Sequence, residues 1–246
     1  MIDLHCHILP GADDGPQSLG EALHMARTAV ADGITAMVAA VHTADPRGVR
    51  SAPHEVRAAA EALEQALQRE GIPLSLFCAH EVMITEQLSR QLRAGELVTV
   101  ADRGQHLLVE LPTLMVPLCA EQVLFEVMAQ GVTPVLVHPE KNLEVQRDLS
   151  LAQRIVDRGC LIQIDADSLD GRVPREVERT AVGLLRHGLA HIVATDGHWP
   201  TDRPPVLSAA REHVRRLLGV RAARRMTEDL PRAILGLPCR PAARRA

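Results

Sequence analysis

The chain has 246 residues, of which 46% are hydrophobic, and carries a formal net charge of -4. This length suits one α/β barrel, and the acidic balance argues against a general nucleic-acid-binding surface. The five cysteines form no C-x-x-C pair, and no basic region followed by an apolar stretch opens the chain. We therefore expect a single domain over residues 1–246, located in the cytoplasm and not inserted in a membrane.

Seven short apolar runs rich in Val, Ile and Leu alternate with helical patterns along the chain. The runs predict strands at residues 2–5, 34–41, 74–79, 107–111, 133–138, 160–165 and 190–195. The segments between them predict helices at residues 18–32, 53–70, 85–94, 117–130, 151–158 and 174–187. A glycine follows each of these six helices, as is common at helix C-termini.

A strict alternation of helices with continuously apolar strands is typical of a parallel sheet covered by helices. Repeated right-handed crossovers can close such a sheet on itself. Seven repeats therefore predict a distorted (β/α)7 barrel. In barrels of this kind the functional groups gather at the carboxyl ends of the strands.

Candidate metal ligands occur at these carboxyl ends. His5 and His7 share one face of the first strand, because alternate side chains of a strand point the same way. Other strands end at the imidazoles and carboxylates of His42, Glu81, Glu110, His138 and Asp196. So many nitrogen and oxygen donors at one end of a barrel predict a multinuclear metal site.

The first fifteen residues, MIDLHCHILPGADDG, resemble the opening of the polymerase and histidinol phosphatase (PHP) superfamily. Within it, the chain is similar to the manganese-dependent protein-tyrosine phosphatases of bacterial capsule and exopolysaccharide loci. Further matching stretches follow in unchanged order at residues 21–27, 93–97, 107–112, 138–140, 195–198 and 203–205. The resemblance therefore implies a barrel of the PHP type.

The resemblance also implies three divalent metal ions and a ligand set for each. The first ion would be held by His5, His7, Glu81 and Asp196, the second by Glu81 as a bridge with Glu110 and His138, and the third by Asp14, His42 and His198. Such oxygen and imidazole ligands suit Mn²⁺, Fe²⁺ or Zn²⁺. Manganese is favoured by the resemblance alone.

Phosphomonoester hydrolysis needs a hydroxide at neutral pH and cations beside the phosphate oxygens, and clustered divalent ions supply both. A metal-bridging hydroxide would attack phosphorus in line. The resemblance implies that two catalytic basic residues, Lys141 and Arg203, flank the phosphate. The family usually has arginine at the first of these positions, and lysine keeps the charge but lacks the planar fork. We expect activity to persist and phosphate affinity to fall.

The substrate implied by the resemblance is phosphotyrosine on a bacterial tyrosine kinase that controls polysaccharide export. The chain itself contains no tyrosine, so this substrate would belong to another protein. The loop after His42 runs only to about residue 52, and such a short loop favours an open site that a protein can enter.

Two alternatives stay open. One is a PHP-type phosphatase of a small phosphomonoester, such as histidinol phosphate or a nucleotide. The other is a weakly active regulator that binds the kinase. The loaded metal, the general acid and the oligomeric state are not indicated by the sequence.

Two neighbouring polar residues, Asp3 and His80, are expected to support the site rather than to bind metal. Asp3 is predicted to orient its strand or a ligand histidine. Strand alternation turns His80 away from the cluster. For Asp13 and Asp14 the alternative to metal binding is the capping of a turn.

Overall fold

The computed structural model describes residues 1–43 and 51–238. Its seven parallel strands are β1 (Ile2–Cys6), β2 (Ala36–His42), β3 (Ser75–Met83), β4 (His106–Glu110), β5 (Thr133–Val137), β6 (Leu161–Asp165) and β7 (Ile192–Ala194). Each strand pairs with the next one along the chain. All seven predicted strands are present, with β3 longer than expected because it continues to Met83.

The barrel closes through the segment that follows β7. The His7 backbone N–H donates to the Gly197 carbonyl at 2.8 Å, and the Asp196 N–H donates to the His5 carbonyl at 2.8 Å. These bonds join the two edge strands and confirm the predicted distorted (β/α)7 barrel. The closure also brings the first and last candidate ligands of the chain side by side.

Asp3 strengthens this closure. Its buried carboxylate accepts hydrogen bonds from the Thr195 backbone N–H at 2.9 Å and from the Thr195 hydroxyl. It also accepts from the backbone N–H of His5 at 3.3 Å. Asp3 therefore orients its strand, which is one of the two roles predicted for it. None of these hydrogen bonds involves an imidazole ring, so they do not support the other predicted role, the orientation of a ligand histidine.

The described helices are α1 (Leu19–Ala31), α2 (Pro53–Arg69), α3 (Leu88–Arg93), α4 (Ala120–Met128), α5 (Leu143–Arg147), α6 (Ser150–Asp157), α7 (Arg175–Arg186), α8 (Ser208–Leu218), α9 (Val220–Arg224) and α10 (Leu230–Ile234). Short 3₁₀ turns lie at Val100–Asp102, Pro139–Lys141 and Asp167–Leu169, and a π-helical turn at Arg225–Asp229. The six predicted helices are all present, and the glycine after each has a positive φ. Helices α5 and α8 to α10 were not predicted.

Two apolar layers alternate along the strands. Inside the barrel, Val38, Ala40 and Leu108 belong to one buried cluster, which Ile234 of α10 also joins. Residues of opposite parity, such as Met37 and Leu107, belong instead to the layer beneath the helices. With one Trp, two Phe and no Tyr in the chain, both layers are aliphatic. At the carboxyl ends of the strands, inward-facing positions carry polar ligands in place of aliphatic side chains.

Part of the chain lies outside the described residues. This holds for residues 44–50, which make up most of the segment predicted as a short loop after His42, and for residues 239–246. Across the described part, no helix combines the length and the apolar character needed to span a membrane.

Candidate metal centre

Glu81 lies at the centre of the cluster. Its Oε2 is 3.2 Å from His5 Nε2, 3.1 Å from His7 Nε2 and 3.1 Å from His42 Nδ1. Its Oε1 is 2.9 Å from His138 Nε2. The carboxylate is fully buried, and both of its oxygens face imidazoles. Glu81 is therefore suited to bind two cations at once.

Strand alternation explains how three strands deliver their ligands. The inward-facing Ala40 is followed two residues later by His42, and Ala79 in the same way by Glu81. In β4, Leu108 is likewise followed two residues later by Glu110. Because alternate residues of a strand share a face, each of these ligands lies on the inner face of its strand. In β1 a register shift between Asp3 and Cys6 interrupts this regularity.

Four groups of potential ligands have donor atoms within 4.8 Å of one another: His7, Asp14, His42 and His198; His5, His7 and Glu81; His5, His138 and Asp196; and His42, Glu81 and Glu110. All nine predicted ligands occur in these groups. The set predicted for the third ion appears whole, joined by His7. For the other two ions the grouping differs, because His138 lies with Asp196 and Glu110 lies with His42.

Two buried carboxylate oxygens indicate that cations fit here. Within residues 1–43 and 51–238, Asp14 Oδ1 and Asp196 Oδ1 are buried and accept no hydrogen bond. Asp14 Oδ1 lies 3.4 Å from His198 Nε2, and Asp196 Oδ1 lies 3.4 Å from His5 Nε2. An unpaired buried carboxylate oxygen is costly. A divalent cation between oxygen and imidazole would satisfy both atoms, so the donor set fits the implied metals.

The remaining ring nitrogens of three candidate ligands have protein partners. His7 Nδ1 is 2.6 Å from the carboxylate of Asp13, and His5 Nδ1 is 2.9 Å from Gln163 Oε1. His198 Nδ1 is 2.8 Å from the Asp196 carbonyl oxygen. Such partners fix the ring orientation and leave Nε2 for a cation. Asp13 does more than cap a turn, and the role of Gln163 was not predicted.

His80 is turned away from the cluster, as alternation predicts. Its Nδ1 accepts a hydrogen bond from the Val98 backbone N–H at 3.0 Å. Burial lowers the pKa of this imidazole to about 4, so it is neutral at physiological pH. His80 therefore supports the segment after α3.

Two candidate ligands have left-handed backbones, which is uncommon for residues other than glycine. His138 has a φ of 35° and Asp196 a φ of 49°. His138 directly follows β5, and Asp196 lies two residues after β7. The chain turns sharply at both places. Such conformations cost about 1–3 kcal/mol each and occur most often at functional sites. Strand alternation alone would not have placed these two side chains.

Lys141 and Arg203 lie at the edge of the cluster, on the oxygen of Asp196 that faces away from the imidazoles. Lys141 Nζ is 3.0 Å from Asp196 Oδ2 and also pairs with Asp165. Arg203 Nη2 pairs with the same Asp196 oxygen, and its Nε is 3.8 Å from Asp167. Both side chains are about one-third exposed, at 30% and 33%. An anion can therefore reach both cations from solvent.

Without metal, the charges of the cluster compensate one another. Burial alone would lower the pKa of His138, but the charge of Asp165 and the hydrogen bond to Glu81 help to raise it to about 10. Burial and the nearby Glu81 raise the pKa of Glu110 to about 7. A proton on His138 occupies the nitrogen that a metal would take. Metal affinity should therefore fall as the pH is lowered.

Gly15→Ala is expected to distort the turn that carries Asp13 and Asp14. A Cβ at Gly15 would lie 2.5 Å from the His7 carbonyl oxygen, a backbone atom that cannot move alone. We expect a loss of about 1–3 kcal/mol in the free energy of unfolding and weaker metal binding. Denaturant unfolding and metal titration by calorimetry measure these effects.

Gly20→Ala in α1 is the matched control, since its nearest contact would be at 3.9 Å. This variant should be neutral or stabilised by about 0.4–1 kcal/mol. Equal stability and metal affinity in the two variants would show that the turn tolerates the displacement.

Gln163→Leu is expected to weaken metal binding about 10- to 100-fold, because His5 loses the partner that orients its ring. Calorimetric titration with Mn²⁺ measures this change. Gln153→Leu, the same substitution on the exposed face of α6, should bind Mn²⁺ as the unchanged chain does. Unchanged affinity in Gln163→Leu would mean that His5 is oriented without this bond.

The closed seven-stranded barrel with clustered histidines and carboxylates at its strand ends agrees with the predicted barrel of the PHP type. Residues 1–236 match the family model described as "Capsular polysaccharide synthesis, CpsB/CapC". The chain therefore belongs to the CpsB/CapC family.

Named relatives agree with this assignment. The chain is 36% identical over 199 residues to tyrosine-protein phosphatase YwqE of Bacillus subtilis, covering 80% of this chain and 77% of the relative. It is 25% identical over 242 residues to tyrosine-protein phosphatase CpsB of Streptococcus pneumoniae, covering 96% and 98%. A solved structure from work on these two proteins, described as unique metal-dependent tyrosine phosphatases, matches with a TM-score of 0.87 at 32% identity over 91% of this chain and 90% of the other.

Proposed function

We propose that this chain is a metal-dependent protein-tyrosine phosphatase that acts on a bacterial tyrosine kinase regulating capsular or exopolysaccharide synthesis. The observation that carries the proposal is the continuous cluster around Glu81, bordered at one edge by Lys141 and Arg203. It combines a site for cations with two positive side chains open to an anion. Metal-assisted hydrolysis of a phosphomonoester uses this combination.

The nine ligands would hold three divalent ions, with Mn²⁺ favoured and Fe²⁺ or Zn²⁺ as alternatives. When bound, such ions lower the pKa of water and neutralise charge on phosphate oxygens. Glu81 contacts imidazoles with both oxygens and is suited to bridge two ions. Asp14, His42 and His198 form the set for a further ion at the more exposed side of the cluster.

Lys141 and Arg203 would bind the phosphate. Burial alone would lower the pKa of Lys141, but Asp165 and Asp196 raise it above its usual value, so the ammonium stays charged. An entering phosphate would compete with Asp196 Oδ2 for both cations. Arg203 can offer two parallel N–H donors, whereas Lys141 offers a point charge.

A tyrosyl ester places little demand on a general acid in the site. The phenolate leaving group has a conjugate acid of pKa about 10, so it departs with less need of a proton than an alkoxide does. This supports phosphotyrosine over phosphoserine as the substrate.

Thiolate catalysis has no support. The described cysteines, Cys6, Cys78, Cys119 and Cys160, lack the arginine that such enzymes place six positions on. Cys239 has one, Arg245, but lies beyond the family match and outside the described residues. The four described thiols are unpaired, which supports a reducing compartment such as the cytoplasm.

Phosphate release by metal-stripped protein refilled with Mn²⁺ tests the proposal, with a phosphotyrosine peptide, a phosphoserine peptide and histidinol phosphate compared. We expect preference for the phosphotyrosine peptide. His5→Ala should abolish this activity, and His54→Ala, at an exposed position of α2, should retain it. Turnover of histidinol phosphate alone would favour the small-molecule alternative, and metal binding without any turnover would favour the regulator.

A further inference from the structure

Outside the metal centre, the described chain has a groove lined by four exposed arginines: Arg147, Arg175, Arg179 and Arg186. We refer to it as the arginine groove. It encloses a cavity of about 650 Å³ between α5 and α7. The only carboxylate among its lining residues is Glu178.

The arginines of this groove are not neutralised within the described structure. Several other exposed arginines are paired with a carboxylate, as Arg154 is with Glu121 at 2.9 Å. By contrast, none of the four groove arginines makes an ion pair or side-chain hydrogen bond with another residue of ranges 1–43 and 51–238. Four unpaired positive charges against one carboxylate form a local excess in a chain whose net charge is -4. This excess favours an anionic partner.

Helix α7 sets the length of the groove. Arg175, Arg179 and Arg186 lie on one helix face, since they are spaced by four and seven residues. They span about 16 Å along the helix axis. An extended peptide of about five residues has the same length. Besides the arginines and Glu178, the lining includes Leu149, which an apolar side chain or a backbone can contact.

The groove lies beside the turn that carries Lys141, since Gln146 of its lining donates to the Glu140 carbonyl at 2.9 Å. Both α5 and α7 contact the Pro139–Lys141 turn. Helix α5 begins at Leu143, two residues after Lys141, and its last residue, Arg147, lines the groove. Helix α7 starts at the carboxyl end of the sheet, where the metal centre lies. A polypeptide bound in the groove can therefore extend to the catalytic edge.

We propose that the arginine groove binds an acidic segment of the protein substrate, next to the phosphorylated tyrosine. The partner's identity as a phosphatase substrate rests on the proposed function, whereas the acidic character follows from the groove alone. Aspartate and glutamate side chains can pair with guanidinium groups in a bidentate manner. The overall acidity of the chain and the apolar contact that Leu149 offers favour a peptide over a nucleic acid.

Direct binding tests the groove independently of catalysis. The probe is a fluorescein-labelled peptide of six glutamates without phosphotyrosine, followed by anisotropy with the full chain. We expect binding that weakens between about 20 mM and about 200 mM salt. Arg179→Gln/Arg186→Gln should raise the Kd roughly tenfold, because two ion pairs with the probe are lost. Binding should not be abolished, since each exposed ion pair contributes little by itself.

Arg69→Gln/Arg221→Gln is the matched control. It removes the same charge from two exposed arginines on α2 and α9 that make no ion pair within the described residues. Its Kd should stay within about twofold of the unchanged chain, since the substituted charges lie on other helices. Arg179→Lys/Arg186→Lys should bind more tightly than the glutamine pair, which separates charge loss from misfolding. Equal weakening in groove and control variants, or no binding by the unchanged chain at low salt, would overturn the proposal. So would tighter binding of an oligothymidylate of similar charge.

The kinetic consequence appears only if the phosphatase activity is confirmed. With a phosphotyrosine peptide that carries an acidic flank, Arg179→Gln/Arg186→Gln should raise KM and leave kcat unchanged. With a neutral flank neither constant should change. A chain without phosphatase activity that still binds the acidic probe would refute the proposed function and leave the groove assignment supported.

Discussion

Glu81→Gln is expected to lower kcat for a phosphotyrosine peptide by about a thousandfold, the loss seen when a central charge-stabilising group is removed. The amide keeps the shape of the side chain and removes the negative charge that faces His5, His7, His42 and His138. Metal content after dialysis against Mn²⁺ should fall in parallel. Steady-state kinetics and elemental analysis measure the two effects.

The control for this substitution is Glu86→Gln, an exposed position just beyond β3. It should retain full activity and metal content. Thermal unfolding of metal-free Glu81→Gln verifies that the barrel still forms. A variant that keeps more than a tenth of the activity would show that Glu81 does not hold the catalytic ions.

Lys141→Met is expected to lower kcat/KM about 100-fold, because the phosphate loses a cation beside the reacting oxygens. Lys141→Arg should stay within about tenfold of the unchanged chain and should bind inorganic phosphate more tightly as an inhibitor, since guanidinium can form two parallel hydrogen bonds. Initial rates over a range of substrate and phosphate concentrations give both constants. Weaker phosphate inhibition in Lys141→Arg would contradict this role.

Much of the architecture could be predicted because two regular patterns repeat along the chain. Alternation of short apolar strands with helices implies the barrel, and the period of two along each strand places His42 and Glu110 on its inner face. A glycine directly after each predicted helix indicated where that helix ends. Five-residue α5 lacked a detectable apolar period, and its start depends on Asn142, whose side chain accepts from the Glu144 and Val145 N–H groups.

The site was harder to predict where it depends on residues distant in sequence. Gln163 lies inside an apolar strand, and only the closed barrel brings it to His5. Asp13 and Asp14 are adjacent and chemically equal, so a sequence cannot show that one faces His7 Nδ1 and the other faces His198. The left-handed backbone of His138 likewise has no local sequence signal.

We propose that the clustered ligands hold the divalent ions on which phosphotyrosine hydrolysis depends. The most direct test is a titration of metal-stripped protein with Mn²⁺ in which bound Mn²⁺, by electron paramagnetic resonance, and phosphate release from a phosphotyrosine peptide are measured in the same samples. We expect three bound ions per chain and a rate that rises with occupancy. Full activity in the presence of a chelator, or saturation with Mn²⁺ and no hydrolysis, would contradict the claim.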